Sequence, residues 1–125
     1  MYMAKIHLLR SKPTLALRRR KARLLSQLRP PPAALRASFV ESFRTCGKLN
    51  CRCRRGHKHG PFYFLTQCLA PGHVQKFQLK GLEQQREARA GIAAYHGFCE
   101  ALEELSQINS ELLRRGDPLE RQAGP

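Results

Sequence analysis

The chain has 125 residues, no tryptophan and a formal net charge of +14, which leaves room for one modest core and argues against a large enzyme pocket. The charge is unevenly placed: residues 1–81 hold eighteen Lys and Arg against one acid, Glu41, whereas residues 82–125 hold five Arg against eight acids. So basic a first two-thirds needs a polyanion, an acidic partner or an anionic surface to offset self-repulsion. No stretch has the apolar length of a membrane span or of a secretory core, so a cytoplasmic protein away from membranes is expected.

Residues 1–13 lack clear periodicity and form a basic lead-in. From Thr14, read as the N-cap, a helix is predicted to Arg29, where Pro30-Pro31-Pro32 stops it. At 100° per residue Leu17, Leu24, Leu25 and Leu28 share one face, and Arg19, Arg20 and Arg23 the opposite one. Lys21 falls within the apolar stripe and has to snorkel outwards. The triple proline is a stiff spacer.

Residues 35–45, "LRASFVESFRT", have strand composition, with Phe39 and Phe43 on one side and Val40 on the other. A cysteine-rich turn follows. Then "PFYFLTQCLA" reads as a strand, Pro71-Gly72 as a tight turn and "VQKFQLK" as its hairpin partner.

From Leu82 to Arg115 there is no proline, and Ile92, Tyr95, Phe98, Cys99, Leu102, Leu105, Ile108 and Leu112 make a wide apolar face. Glu100, Glu103, Glu104 and Glu111 fall in a solvated band on the other side. Gly116 and Pro118 supply a stop, and residues 117–125 a tail. The expected fold is α+β. It has an N-terminal basic helix (14–29), a small antiparallel sheet of two or three strands with a Cys/His knuckle (35–80), and a long C-terminal amphipathic helix (82–115) packed on the sheet. Residues 14–116 would form one domain stapled by zinc. The far half of the last helix can pair with the first helix, bringing the acidic band near Arg18 to Arg23, or serve a homodimer.

The stretch "CGKLNCRCRRGHKHGPFYF", residues 46 to 64, carries three of the five cysteines and two of the five histidines. Cys51 and Cys53 are too close for a relaxed disulfide, and the odd cysteine count argues for metal or free thiols in a reducing compartment. The spacing Cys46-x4-Cys51-x-Cys53-x5-His59 gives three thiolates and one imidazole, a closed set that structural zinc prefers; His57 is a second candidate for the fourth ligand. A domain with so little core gains much from such a staple. Gly47 and Gly56 allow the tight turns it needs.

These residues carry a resemblance. "CGKLNCRC", then "HGPFYFL", then a helix ending "LEELSQINSELLRR" resembles a family of small uncharacterised bacterial and archaeal proteins. Their core reads Cys-Gly-Lys-Pro-x-Cys-x-Cys followed by His-Gly-Pro-Tyr. The likeness spans roughly residues 14–115 and maps onto Cys46, Cys51, Cys53, His59, Gly60 and Pro61. Leu49 stands where proline is usual and Phe62 where tyrosine is usual. His57 lies outside the pattern, which favours His59. Genes of that family often lie beside transposase genes, so the resemblance implies a link to a mobile element without supplying a mechanism.

Around the knuckle Arg44, Lys48, Arg52, Arg54, Arg55 and Lys58 suit a phosphate backbone, and Arg19, Arg20 and Arg23 offer a second basic face. Lys76 and Lys80 fall in the neighbouring hairpin. With Phe62 and Phe64 facing the core, Tyr63 points to the other side and can stack on a base. Cys68 and Cys99 read as small buried apolar residues, and His73 and His96 as surface. Residues 1–81 lack the clustered carboxylates of a metal-dependent nuclease, and there is no Walker loop or His-Glu-x-x-His. A Cys53–His57 nucleophile would compete with metal for its thiol. The expectation is therefore a non-catalytic, nucleic-acid-binding protein, with DNA favoured over RNA and a transposase or recombinase as a further partner. The alternative is an adaptor that docks such a protein through helix 82–115.

Overall fold

A computed structural model describes residues 8–120, apart from the side chain of Arg54. Most of the basic lead-in (residues 1–7) and the end of the tail (121–125) lie outside the described residues. The elements run α1 (Thr14–Gln27), β1 (Ser38–Arg44), a 3₁₀ turn (Arg52–Arg55), β2 (His59–Ala70), β3 (His73–Gln78) and α2 (Gly81–Arg114). The strands form one antiparallel sheet in the order β1-β2-β3. The α+β reading holds: a three-stranded sheet, a long C-terminal helix and the Cys/His cluster in the β1–β2 connection.

The chain divides into two compact units: residues 31–96, and the described residues up to Pro30 together with those from Gly97 on. Helix α2 runs unbroken through the boundary.

In the unit that joins the chain's two ends, α1 and the last turns of α2 bury Leu9, Leu17, Leu24, Ile108 and Leu112 in one cluster. Leu17, Ile108 and Leu112 are essentially inaccessible, each worth about 1.5–3 kcal/mol of burial. Leu17 and Leu24 follow the i, i+7 spacing of the predicted stripe. Leu25, at its edge, remains 52% exposed. Lys21 is half-buried, and instead of standing free in solvent its Nζ donates to the Leu119 carbonyl. The first turn of α1 differs from expectation. Pro13 occupies the N-cap, with no side-chain cap, and the Thr14 hydroxyl instead accepts from Arg115 Nη1 at 3.0 Å. The helix also stops two residues early, because Leu28 is already extended (ψ 103°) ahead of the proline run. At the far end, Gly116 (φ 77°) donates to Leu113 O and Asp117 to Leu112 O, a Schellman closure of α2.

The acidic band is not simply solvated. Arg18 pairs with Asp117 (2.6 Å) and Arg20 with Glu104. Glu111 is buried and accepts from both Arg114 and Arg115. Arg115 also donates to the Leu9 and Arg10 carbonyls, so this one guanidinium ties the start of the described chain to the end of α2. The Arg pairs and hydrogen bonds on Glu111, led by Arg114, hold its carboxyl down to about 2.

In the unit of residues 31–96, Leu65, Leu79 and Ala88 form the core, joined by Ala37, Phe39, Tyr63 and Ile92. Helix α2 thus covers one face of the sheet, as a small sheet requires. Close approach depends on Gly91: a Cβ there would lie 2.4 Å from the Ala33 carbonyl oxygen, and the Gly91 carbonyl accepts from Leu35 N–H at 3.0 Å. The register sets which side chains face α2. Phe39 pairs with Leu65 and Glu41 with Tyr63, so these residues share the inner parity. This reverses the expected orientation of the aromatic run. Tyr63 lies towards α2, its ring 5.2 Å from that of Phe39, and Phe62 and Phe64 are on the outer face, where Phe64 is nevertheless buried and Phe62 half-buried. Phe43 also departs from expectation, at 51% exposed beside a bulge between Ser42 and Arg44. Cys68 is exposed and Cys99 half-buried, so neither is the buried apolar residue expected. His73 and His96 are exposed as expected.

No described helix is long and apolar enough to cross a membrane.

Candidate metal centre and its basic surroundings

Antiparallel pairing of β1 with β2 brings the two ends of the knuckle together, because Arg44 is opposite His59. Cys46 lies two residues past β1, and His59 opens β2. Between them Cys51 N–H donates to Lys48 O, closing a first turn. Cys51 then N-caps the 3₁₀ turn that carries Cys53. Gly56, at φ 97°, is left-handed and lets His57 N–H return to Arg52 O. Gly60 is the second position where glycine is required. Its φ is 139°, and a Cβ would meet Phe43 Cδ1 at 2.9 Å and Ser42 O at 3.0 Å.

The ligand atoms of Cys46, Cys51, Cys53 and His59 all lie within 4.8 Å of one another. Cys51 Sγ is 3.0 Å from His59 Nε2, and Cys46 Sγ is 3.5 Å from Cys53 Sγ. Donors on a tetrahedral ion with bonds of 2.0–2.3 Å are about 3.3–3.8 Å apart; the Cys46–Cys53 distance falls in that range and the Cys51–His59 distance is a little shorter, so the set could hold a metal ion. Cys53 is only 3% exposed and its sulfur accepts the Cys46 backbone N–H at 3.2 Å, an orienting contact of the kind metal ligands use. The thiols share their protons unequally. The Cys53 backbone N–H, then hydrogen bonds with Cys46, Cys53 and His59, draw Cys51 down to about 6. At Cys46 the Lys48 backbone N–H favours the thiolate, but hydrogen bonding with Cys51, burial and Cys53 outweigh it and the pKa is raised. His57 does not belong to the group, which makes His59 the candidate imidazole ligand.

Residues 14–67 match the model of a domain of unknown function, DUF6788. No curated protein and no solved structure matches the chain. The matched stretch holds all four members of the cluster and ends inside β2, so it is shorter than the 14–115 spanned by the resemblance.

The charged residues singled out in the sequence separate into two groups. Lys48, Arg52, Arg55 and Lys58 surround the cluster and are exposed; the side chain of Arg54 lies outside the described residues. Arg44 is exposed at the end of β1, its guanidinium carbon 5.0 Å from the ring centroids of both Phe62 and Phe64. On α1, Arg19 and Arg23 are exposed, but Arg20 is committed to Glu104 and is not a free basic contact. Tyr63 is not an outward platform, because it packs among the core residues beneath α2. Sequence reasoning missed the outer position of Phe62 and Phe64, although it had named both cations above them, Arg44 and Lys76. The signal was present in the alternation of β2, but aromatic residues at both parities left its sense undecided.

Proposed function

We propose that the protein is a small zinc-stapled, non-catalytic nucleic-acid-binding protein. Cys46, Cys51, Cys53 and His59 would hold one structural zinc, which would fix the knuckle, and Lys48, Arg52, Arg54, Arg55 and Lys58 would present their charge to phosphates. The observation that carries this reading is where the ion pairs fall. All four among the described residues belong to the unit of the chain ends. Between residues 31 and 82 the one carboxylate is Glu41, and no described cation there has an acidic partner. The fold neutralises part of the helical charge itself and leaves the knuckle's charge for another molecule.

The thiolate-rich donor set favours zinc over harder cations. The frequent neighbourhood of transposase genes in the family that the sequence resembles supports a role as an accessory of a mobile element, with DNA the favoured partner.

The test is binding of the zinc-loaded protein to nonspecific DNA across a salt series. With about five phosphate contacts, log K against log salt should fall with a slope of roughly −4 to −5 on duplex DNA. Arg52→Glu/Arg55→Glu should weaken binding and flatten the slope while the circular dichroism spectrum is kept. Absence of binding at low salt, or binding unchanged in that variant, would overturn the reading and favour an adaptor that meets an acidic protein.

A further inference from the structure

The two faces of the sheet differ in kind. The inner face carries the apolar residues beneath α2. On the outer face Phe62 is paired with Ser42, and Phe64 lies between Val40 and Gln78. Arg44 lies over both rings, and Lys76 Nζ is 4.7 Å from the Phe64 centroid. Glu41, opposite Tyr63 in the ladder, has the inner parity, so the outer face is aromatic, cationic and without a carboxylate.

We infer that this outer face is a stacking site for single-stranded nucleic acid, with Phe62 as the platform and Arg44 and Lys76 as its phosphate contacts. The inference rests on the nucleic-acid reading above and narrows it. Phe64 is only 7% exposed and Phe62 half-buried, so Phe62 is the ring within reach of a ligand. Cations alone suit any polyanion, but a reachable ring between cations suits one whose bases are free to leave their stack. A duplex presents phosphates to such a surface and keeps its base faces covered. Charge complementarity therefore selects nucleic acid, and the rings select the single strand. Arg44 occupies the ring faces in the free protein. For a base to stack, the Arg44 guanidinium yields the Phe62 ring and turns to the backbone, exchanging its cation–π contact for a stacked base. Because Arg44 is paired with His59, the platform adjoins the knuckle, and a strand leaving Phe62 meets the knuckle's cations next.

The chain has no tryptophan, so Phe62→Trp places a single fluorescent reporter on the platform. The zinc-loaded full chain is titrated with a 15-nucleotide oligothymidylate and with a DNA hairpin of equal charge. In Phe62→Trp the single strand should quench the indole emission strongly and the hairpin should not. In Phe62→Leu the ratio of single-strand to hairpin affinity should fall about tenfold. Arg44→Gln/Lys76→Gln, which leaves both rings in place, should lower the same ratio severalfold. Unquenched emission in Phe62→Trp, with an affinity ratio unchanged in all three variants, would overturn the inference. The broader reading would then still stand if Arg52→Glu/Arg55→Glu weakened both probes. Failure of the unsubstituted protein to bind either probe at low salt would overturn both.

Discussion

Arg44 and His59 face each other as the terminal pair of the β1–β2 ladder, so one backbone pairing positions both a ring-covering cation and the imidazole of the thiol cluster. Bound zinc would therefore act on the strand ends as well as on the loop. Zinc-finger peptides gain roughly 10–16 kcal/mol on binding their ion, and nothing else in residues 46–58 offers a comparable restraint. Chelation should remove one zinc per chain and expose the amides of His59 and Gly60 to rapid hydrogen exchange. Cys53→Ser, at the buried ligand, should leave no zinc detectable by native mass spectrometry, whereas His57→Ala should retain it. Retention by Cys53→Ser would show that the cluster is not the site.

The buried Glu111 carboxylate gives stability a pH dependence with a definite sign. Its pKa is held down to about 2 in the folded state, chiefly by the Arg114 hydrogen bond, and an unfolded chain would return it to the usual value near 4.5. The folded state therefore binds fewer protons here, and the stabilisation is complete above pH 4.5 and lost as pH falls towards 2. Glu111→Gln should lower the melting temperature at pH 7 and reduce its dependence on pH between 4.5 and 2. Thermal melts of the two proteins at several pH values check this. A parallel loss in both would assign the acid sensitivity elsewhere.

Two glycines of α2 should respond to alanine with opposite signs. At Gly91 the added methyl would collide with the Ala33 carbonyl, a backbone atom that cannot simply rotate away, so Gly91→Ala should cost about 1–3 kcal/mol. Six residues on, a Cβ at Gly97 meets nothing within 4 Å. Gly97→Ala should therefore stabilise by about 0.5–1 kcal/mol through helix propensity alone. Urea midpoints compared at constant m-value decide both. A gain in Gly91→Ala would mean that the 33–35 segment does not lie against the helix.

The partition of charge makes a further comparison. The exposed Arg20–Glu104 pair should contribute about 0.2–1 kcal/mol. Arg20→Gln should therefore move stability slightly and DNA affinity less than about twofold, in contrast to the knuckle variants. A large loss of affinity in Arg20→Gln would place α1 in the interface after all.

Much of this architecture was legible because its signals are local. The proline run marked the end of α1 to within two residues, Pro71-Gly72 the hairpin, and Gly116 the end of α2. The spacing of Cys46, Cys51, Cys53 and His59 singled out the cluster, and the structure adds only the choice between His57 and His59. The opposed charge bands of α1 and α2 anticipated Arg20 with Glu104. What stayed hidden depends on register. Period-2 alternation says that Tyr63 and Phe62 differ in side, but it does not say which side meets the helix when both sides hold aromatics. Glu111 was likewise indistinguishable by helical angle from its solvated neighbours. Its burial comes with Arg115 reaching across to Thr14 and Leu9, about a hundred residues away in sequence. The Phe43 bulge has no signature beyond the glycine at position 60.

The two compact units differ in how far apart in sequence their parts lie. Residues 31–96 are consecutive, and their strand pairs are joined by connections of fourteen and two residues, whereas the other unit joins α1 to residues from Gly97 on. Loop closure for Leu17 and Ile108 spans about ninety residues, and that of the β2–β3 hairpin two. During synthesis the sheet and its thiol cluster can therefore complete themselves, and take up metal, while the partners of α1 are still being made. In pulse-labelled refolding the amides of β2 should accordingly become protected before those that depend on the Leu17–Ile108 cluster.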